Sequence, residues 1–239
     1  MNLIIDIGNT STKLALSKGA MIVKQERISS PDNDMIGRFT GNQPPESAIV
    51  SSVSHDPSGL VSYLKTICGR VHRLTWQSLY PFGIDYETPE TLGVDRLAAA
   101  AGAWVHHQHS DLLVIDAGSA LTIDHITGGK YRGGSISPGL SMRYRALHEY
   151  TGRLPLVTTG KDFSFPGKST KDAIAGGVIM GMVYEINEYI RTFEERHNNH
   201  VTMITGGDSE IICSLTEKKI LRYPDLVTDG LIYLLDTNA

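Results

Sequence analysis

Two short apolar runs that end in the same punctuation limit the folds open to this chain. Leu3-Ile4-Ile5-Asp6-Ile7-Gly8-Asn9-Thr10 reads as a strand closing on a carboxylate, a glycine and small polar side chains. About 110 residues later Leu112-Leu113-Val114-Ile115-Asp116-Ala117-Gly118-Ser119-Ala120 repeats the pattern, a spacing that suits a duplicated lobe and not a short solenoid unit. After each glycine strand-like alternation resumes, over residues 12–16 and 121–126, so each copy opens as strand, tight turn and returning strand. Ser17-Lys18-Gly19 and Thr127-Gly128-Gly129 then supply hairpin turns, because glycine takes the positive φ that such loops require. Helical periodicity over 94–107 and 170–195, interleaved with apolar strands at 48–53 and 201–205, makes the class α/β with mixed sheets. The expected lobes are 1–109 and 110–239, divided in the polar stretch 106–111.

At 239 residues the chain is long enough to bury a substantial core. Its net charge of −4 carries no basic field that would recruit nucleic acid. Cys68 and Cys213 lie far apart and match no metal or redox spacing, so they read as inert thiols in a reducing compartment. No apolar run approaches the length of a membrane span. The expectation is a cytoplasmic protein with neither a nucleic acid nor a membrane as partner.

A strand that ends Asp-x-Gly and turns straight back presents backbone N–H groups and short hydroxyls around a concave corner suited to phosphate oxygens. Taken singly, each motif is explained better by turn-forming aspartate. The matched pair favours phosphate binding. Asp6 and Asp116 are hard oxygen ligands, expected to face one another across an interlobe cleft and to hold hydrated Mg²⁺ or a monovalent cation beside a nucleotide. Lys13, on the returning strand, adds positive charge. The segments Asp6-Ile7-Gly8-Asn9-Thr10 with Lys13, and Asp116-Ala117-Gly118-Ser119-Ala120, resemble the two phosphate motifs of the actin/hexokinase/Hsp70-like kinases. Thr205-Gly206-Gly207-Asp208 follows an apolar strand and is similar to the glycine pair that accommodates adenosine in that superfamily. The resemblance implies two duplicated ribonuclease-H-like lobes, the actin-like ATPase fold, with ATP in the interlobe cleft.

Between the two motifs lies Tyr86-Glu87-Thr88-Pro89-Glu90-Thr91-Leu92-Gly93-Val94-Asp95-Arg96-Leu97, an extended segment entering an alanine-rich helix near Val94. Phosphoryl transfer to an alcohol needs a group to accept the hydroxyl proton, which makes Asp95 the candidate base and Arg96 a contact for an anion or the acceptor. Without a family, helix-dipole stabilisation accounts for Asp95 equally well. Gly93-Val94-Asp95-Arg96 resembles the Gly-x-Asp-Arg signature of type III pantothenate kinases. Gly133-Gly134-Ser135-Ile136-Ser137-Pro138-Gly139-Leu140 and Gly167-Lys168-Ser169-Thr170 match further segments of that family, so its features run from Asp6 to Gly207.

The family resemblance implies a role for each matching residue. Asp95 becomes the proton acceptor, and Gly93, Val94, Asp95 and Arg96 contact pantothenate, joined by Tyr86 and Thr170. Asp6, Gly8, Asn9, Thr10 and Lys13 hold ATP phosphates, Gly118 and Ser119 contact ATP, and Gly206 and Gly207 take the adenosine. Asp116 holds K⁺ or NH₄⁺, and Mg²⁺ accompanies the ATP. Ser119 stands where the family usually has threonine and keeps the hydroxyl. The resemblance further implies a homodimer, with Thr170 serving the neighbouring subunit's site, and phosphorylation of pantothenate to 4′-phosphopantothenate, the first step toward coenzyme A. Two alternatives stand beside this: a catalytically silent nucleotide-binding regulator, and a superfamily kinase for another small hydroxylated acceptor. Arg143 and Arg145, in a helix over 140–150, read as solvated charge. His106, His107 and His109 read as a polar helix end, since adjacent helical side chains do not converge on one ion.

Overall fold

The structure, a computed structural model, describes residues 1–158, 160 and 162–238. The chain runs β1 (Asn2–Ile7), β2 (Thr12–Lys18), β3 (Met21–Ile28), α1 (Asn33–Phe39), β4 (Ser47–Ser52), α2 (Ser58–Ile67), β5 (Arg70–Arg73), β6 (Gly83–Ile84) and α3 (Val94–His106). It continues through β7 (Asp111–Ala117), β8 (Ala120–Thr127), β9 (Lys130–Pro138), α4 (Leu140–Glu149), α5 (Thr170–Arg196), β10 (His200–Thr205), α6 (Ser209–Leu215), β11 (Leu221–Arg222) and α7 (Leu226–Asn238). Two compact units result. The first holds Met1–Gln108, Gly129–Tyr131 and the chain from Asp225 onward; the second holds His109–Gly128 and Arg132–Pro224. The sequence reading ran its second lobe to 239, whereas the C-terminal helix packs within the first unit.

In the first unit the strands lie in the order β3-β2-β1-β4-β5. β1 is antiparallel to β2 and parallel to β4. The hairpin from β2 to β3 turns at Gly19, whose φ is +56°. Because side chains alternate along a strand, Leu3, Ile5 and Ile7 share one face, where they join Ile36 and Phe39 of α1 and Leu64 of α2 in a single core. Ile4 and Asp6 therefore point to the other face, which α3 and α7 cover.

The alanine run of α3 has a steric reason. A Cβ built on Gly102 of α3 would lie 2.1 Å from the Leu226 carbonyl oxygen, and one on Gly230 of α7 would lie 1.9 Å from that of Ala98. The two helices thus meet backbone to backbone, and Ala98, Ala99, Ala100, Ala101 and Ala103 are all buried. Larger side chains would push α7 away from the sheet.

The second unit repeats the plan. β7 is antiparallel to β8 and parallel to β10, in a sheet that continues to β11 on one side and β9 on the other. Gly128 and Gly129, with φ of +56° and +71°, make the turn between β8 and β9. Leu113, Ile115 and Ala117 form one core with Leu140 and Tyr144 of α4, Ile179, Met182 and Ile186 of α5, and Ile212 of α6. The first two residues of β9, Lys130 and Tyr131, belong to the first unit, where they pair with Gly83 and Ile84 of β6.

The contact between α3 and α7 makes Gly230→Ala costly, by about 2 kcal/mol or more, because backbone and not a flexible side chain must yield. Gly59→Ala is the contrasting case: nothing lies within 4 Å of the added methyl in the first turn of α2, so stability rises by roughly 0.5 kcal/mol. Urea titration of the two variants beside the parent measures both shifts.

Candidate functional site

Asp6 stands near the end of β1, opposite Lys13 of β2 and Ser51 of β4. The buried Ser51 hydroxyl donates to Asp6 Oδ1 at 2.9 Å. Burial pushes the Asp6 carboxyl up to about 6; the nearby charge of Asp95 pushes the same way, and the Ser51 bond and the Lys13 charge oppose it. Lys13 Nζ lies 2.8 Å from Asp225 Oδ1, just ahead of α7. Beyond Asp6, the Gly8 N–H donates to the Ser11 carbonyl at 3.1 Å, closing a turn on which Asn9 and Thr10 are exposed.

The segment that carries the Gly-x-Asp-Arg block enters α3 at this strand end. Gly93 precedes the helix and Asp95 occupies its first turn, with the Arg96 N–H donating to Asp95 Oδ1 at 2.8 Å. A Cβ on Gly93 would lie 2.6 Å from that same oxygen, so only glycine leaves the carboxylate where it is. Arg96 is buried, its guanidinium 6.0 Å from the ring centroid of Tyr131, which is itself fully buried. Tyr86 meets the Tyr131 ring edge-on at 6.2 Å, and the Asp85 N–H donates to the Tyr131 carbonyl at 2.9 Å.

Tyr131 is thus the residue that ties Arg96 to Tyr86, and sequence reasoning missed it. The pairing of β6 with β9 that brings it here is non-local. The local signal, an aromatic residue two positions after a Gly-Gly turn, has no specificity.

In the second unit Asp116 occupies the place on β7 that Asp6 has on β1, but its register partners are Thr122 and Thr205. The second turn is also shorter, because β8 restarts at Ala120 directly after Gly118 and Ser119. The Gly118 N–H donates to the Ala120 carbonyl at 3.0 Å. Two further segments grip this turn. The Gly139 N–H, just before α4, donates to the Ser119 carbonyl at 3.2 Å, and the Asp208 N–H donates to the Ala117 carbonyl at 2.9 Å. Gly206 has a φ of +93°, and a Cβ there would lie 2.4 Å from the Ala117 oxygen. Gly206 and Gly207 are therefore brought to the Asp116 turn.

Thr170, the first residue of α5, is placed elsewhere in the unit. It lines an apolar groove of about 890 Å³ together with Met142, Leu147, Leu154 and Val178. The reading of Arg143 as solvated charge does not hold. Its guanidinium donates to the Pro138 carbonyl at 2.7 Å and to Glu185 at 2.5 Å, and Glu185 also accepts from Ser137 Oγ at 2.7 Å. That network ties the end of β9 to α5.

Among the described residues no group of three or more His, Cys, Asp or Glu side chains is placed to hold a metal ion. Mg²⁺ does not require one, since it keeps several waters and binds through one or two carboxylates plus a substrate's phosphates. Asp6, a desolvated carboxylate at the end of β1, fits that role. A cation would offset the burial that now disfavours its charged form.

The sequence profile of a family described as type III pantothenate kinase matches residues 2–192. A type III pantothenate kinase of Bacteroides fragilis is 38% identical over 239 residues, covering 100% of this chain and 98% of its own. One of Flavobacterium johnsoniae is 35% identical over 238 residues, 97% of this chain and 96% of its own. Among solved structures, one assigned by its description to the Baf family, from Campylobacter jejuni, superposes with a TM-score of 0.66 at 22% identity, covering 99% of this chain and 98% of that one. A ROK family glucokinase from Streptomyces griseus, solved with glucose and AMPPNP, gives 0.53 at 15% identity over 98% of each chain. At such identities the structures carry the fold alone, and it is the actin-like ATPase fold shared with ROK sugar kinases.

Asp6→Asn separates the cost of the buried carboxylate from its use. The folded chain holds the Asp6 proton more tightly than the unfolded one, so this contribution to stability is complete below about pH 3.8 and lost as pH rises through about 6. At pH 8 Asp6→Asn therefore melts above the parent, and near pH 4 the two converge, while ATP-dependent turnover is lost. Melting curves at both pH values with a turnover assay check this.

Proposed function

The chain belongs to the type III pantothenate kinase family, and from that premise we propose that it transfers the γ-phosphoryl group of ATP to the primary hydroxyl of pantothenate, giving ADP and 4′-phosphopantothenate, the first step of coenzyme A biosynthesis. The observation that carries this reading is the family match across residues 2–192, which includes the Gly93-Val94-Asp95-Arg96 block at the start of α3. The likeness to the Baf family structure is one of fold, and it does not favour the regulatory alternative over a kinase.

In this reading Asp95 accepts the hydroxyl proton as the acceptor oxygen bonds to the γ-phosphorus and the bond from that phosphorus to the β,γ-bridging oxygen breaks. Phosphoryl transfer has a loose transition state, so the chain's work is chiefly positioning and charge stabilisation. Gly93, Val94, Arg96 and Tyr86 orient pantothenate, with the ring of Tyr131 fixing Arg96 and Tyr86 relative to each other. The turn Gly8-Asn9-Thr10 and Lys13 receive ATP phosphates. Gly118 and Ser119 contact ATP from their own turn, and Gly206 and Gly207 leave a side-chain-free wall for adenosine. Bound Mg²⁺ at Asp6, and K⁺ or NH₄⁺ at Asp116, would supply neutralisation of phosphate charge.

We also propose a cytoplasmic homodimer. The two unpaired cysteines, Cys68 and Cys213, suit a reducing compartment. In the second unit Met142, Tyr150, Leu156 and Tyr184 are exposed around helices α4 and α5, apolar surface of the kind that subunit contacts cover. Thr170 on that groove then serves the neighbouring subunit's pantothenate.

Purified protein with Mg-ATP and K⁺ releases ADP only when pantothenate is added, and mass detection finds 4′-phosphopantothenate; no pantothenate dependence overturns the assignment. Asp95→Asn lowers kcat roughly 10²- to 10⁴-fold while ATP affinity stays close to the parent's. Near-normal turnover removes Asp95 as the base. Light scattering reports a mass of twice the chain's 26.1 kDa.

A further inference from the structure

Lys13 does not stand alone at the first phosphate turn. Its side chain is only 20% exposed, and its ammonium lies 2.8 Å from Asp225 Oδ1, a residue 212 positions away in the chain. The Asp229 N–H donates to the Asp225 carbonyl at 2.8 Å, so Asp225 stands at the N-terminal end of α7. We infer that Asp225 is a positioning residue for the ATP-binding lysine: its carboxylate holds the Lys13 ammonium at the strand end so that phosphate meets a fixed charge. The inference rests on the reading of Lys13 as a phosphate contact.

Three observations support it. A lysine carries a long flexible stem whose rotamer freedom is lost when the ammonium is fixed, and a partner in place beforehand removes that cost from ligand binding. The pair uses one Asp225 oxygen and one of the three ammonium donors, which leaves donors for phosphate oxygens. The carboxylate is itself well anchored, because α7 is held against α3 by the backbone contacts of Gly102 and Gly230. The same packing sets Asp95, in the first turn of α3, near Asp6. One helix pair thereby carries the candidate base on one member and the partner of the phosphate lysine on the other.

Asp225→Asn tests this with little change of shape, since it removes the negative charge and keeps the backbone carbonyl that accepts from the Asp229 N–H. Calorimetric titration of the full chain with Mg²⁺ and a non-hydrolysable ATP analogue, beside steady-state kinetics, is run on Asp225→Asn, Asp225→Glu, Lys13→Ala and the double variant with Asp225→Asn. The expected result is a roughly tenfold rise in Kd and in KM for ATP with Asp225→Asn, an unchanged KM for pantothenate and an unchanged melting temperature. Asp225→Glu recovers most of the affinity, and Asp225→Asn adds nothing once Lys13 is alanine. Unchanged or tighter ATP binding in Asp225→Asn overturns the proposal, the latter showing that Asp225 competes with phosphate for the lysine. A loss that persists in the Lys13→Ala background also overturns it, since Asp225 then acts through something else. If Lys13→Ala alone leaves ATP affinity intact, the reading of Lys13 itself fails, and that outcome is distinct from the others.

Discussion

Where α3 crosses α7 in the first unit, two glycines let main chain touch main chain, and most of what matters at the first strand end follows from that contact. The helices approach so closely that a methyl on either glycine would overlap a carbonyl oxygen of the other helix. Closeness demands small side chains, which is why α3 is built from alanine over Ala98–Ala101. It also fixes where the N-terminal ends of both helices fall. Asp95 begins one and Asp225 precedes the other, on the sheet face that carries Asp6 and Lys13. A contact with no polar chemistry of its own thus arranges the carboxylates and the ammonium.

The two units share one strand plan and differ in what surrounds the equivalent position of their aspartates. Asp6 is flanked by an ammonium and a serine, Asp116 by two threonines. The first environment desolvates its carboxylate strongly enough to raise its proton affinity well above that of an ordinary aspartate. The second surrounds its turn with backbone, from the Gly139 segment before α4 and from the Gly206 segment after β10. The two turns are alike in strand plan and differ in their neighbours: one is a charged corner, the other a close-packed corner walled by backbone.

The acceptor side depends on a less local element. Arg96 is buried, and a buried guanidinium is tolerable only with partners that accept its charge; the face of Tyr131 is one of them. Tyr131 arrives from the start of β9, which pairs with the two-residue strand at Gly83–Ile84. That short ladder also fixes the Asp85 backbone and leaves the Tyr86 ring edge-on against Tyr131. The elements that orient the proposed substrate contacts therefore come from three separated stretches of chain.

The sequence by itself determined the class, the repeated strand-turn-strand openings, the glycine hairpins and, through short blocks such as Gly93-Val94-Asp95-Arg96, the family. These are local signals: period-2 alternation, glycine where φ must be positive, and short blocks whose residues act as neighbours along the chain. Tertiary structure alone decided that the C-terminal helix packs in the first unit, that Lys13 pairs with Asp225, that Tyr131 joins Arg96 to Tyr86, and that Arg143 is held by Glu185. Each of those joins residues far apart in sequence through close approach of surfaces. No periodicity or spacing records such an approach, because it depends on how whole helices and strands pack, down to the room left by a single missing methyl group.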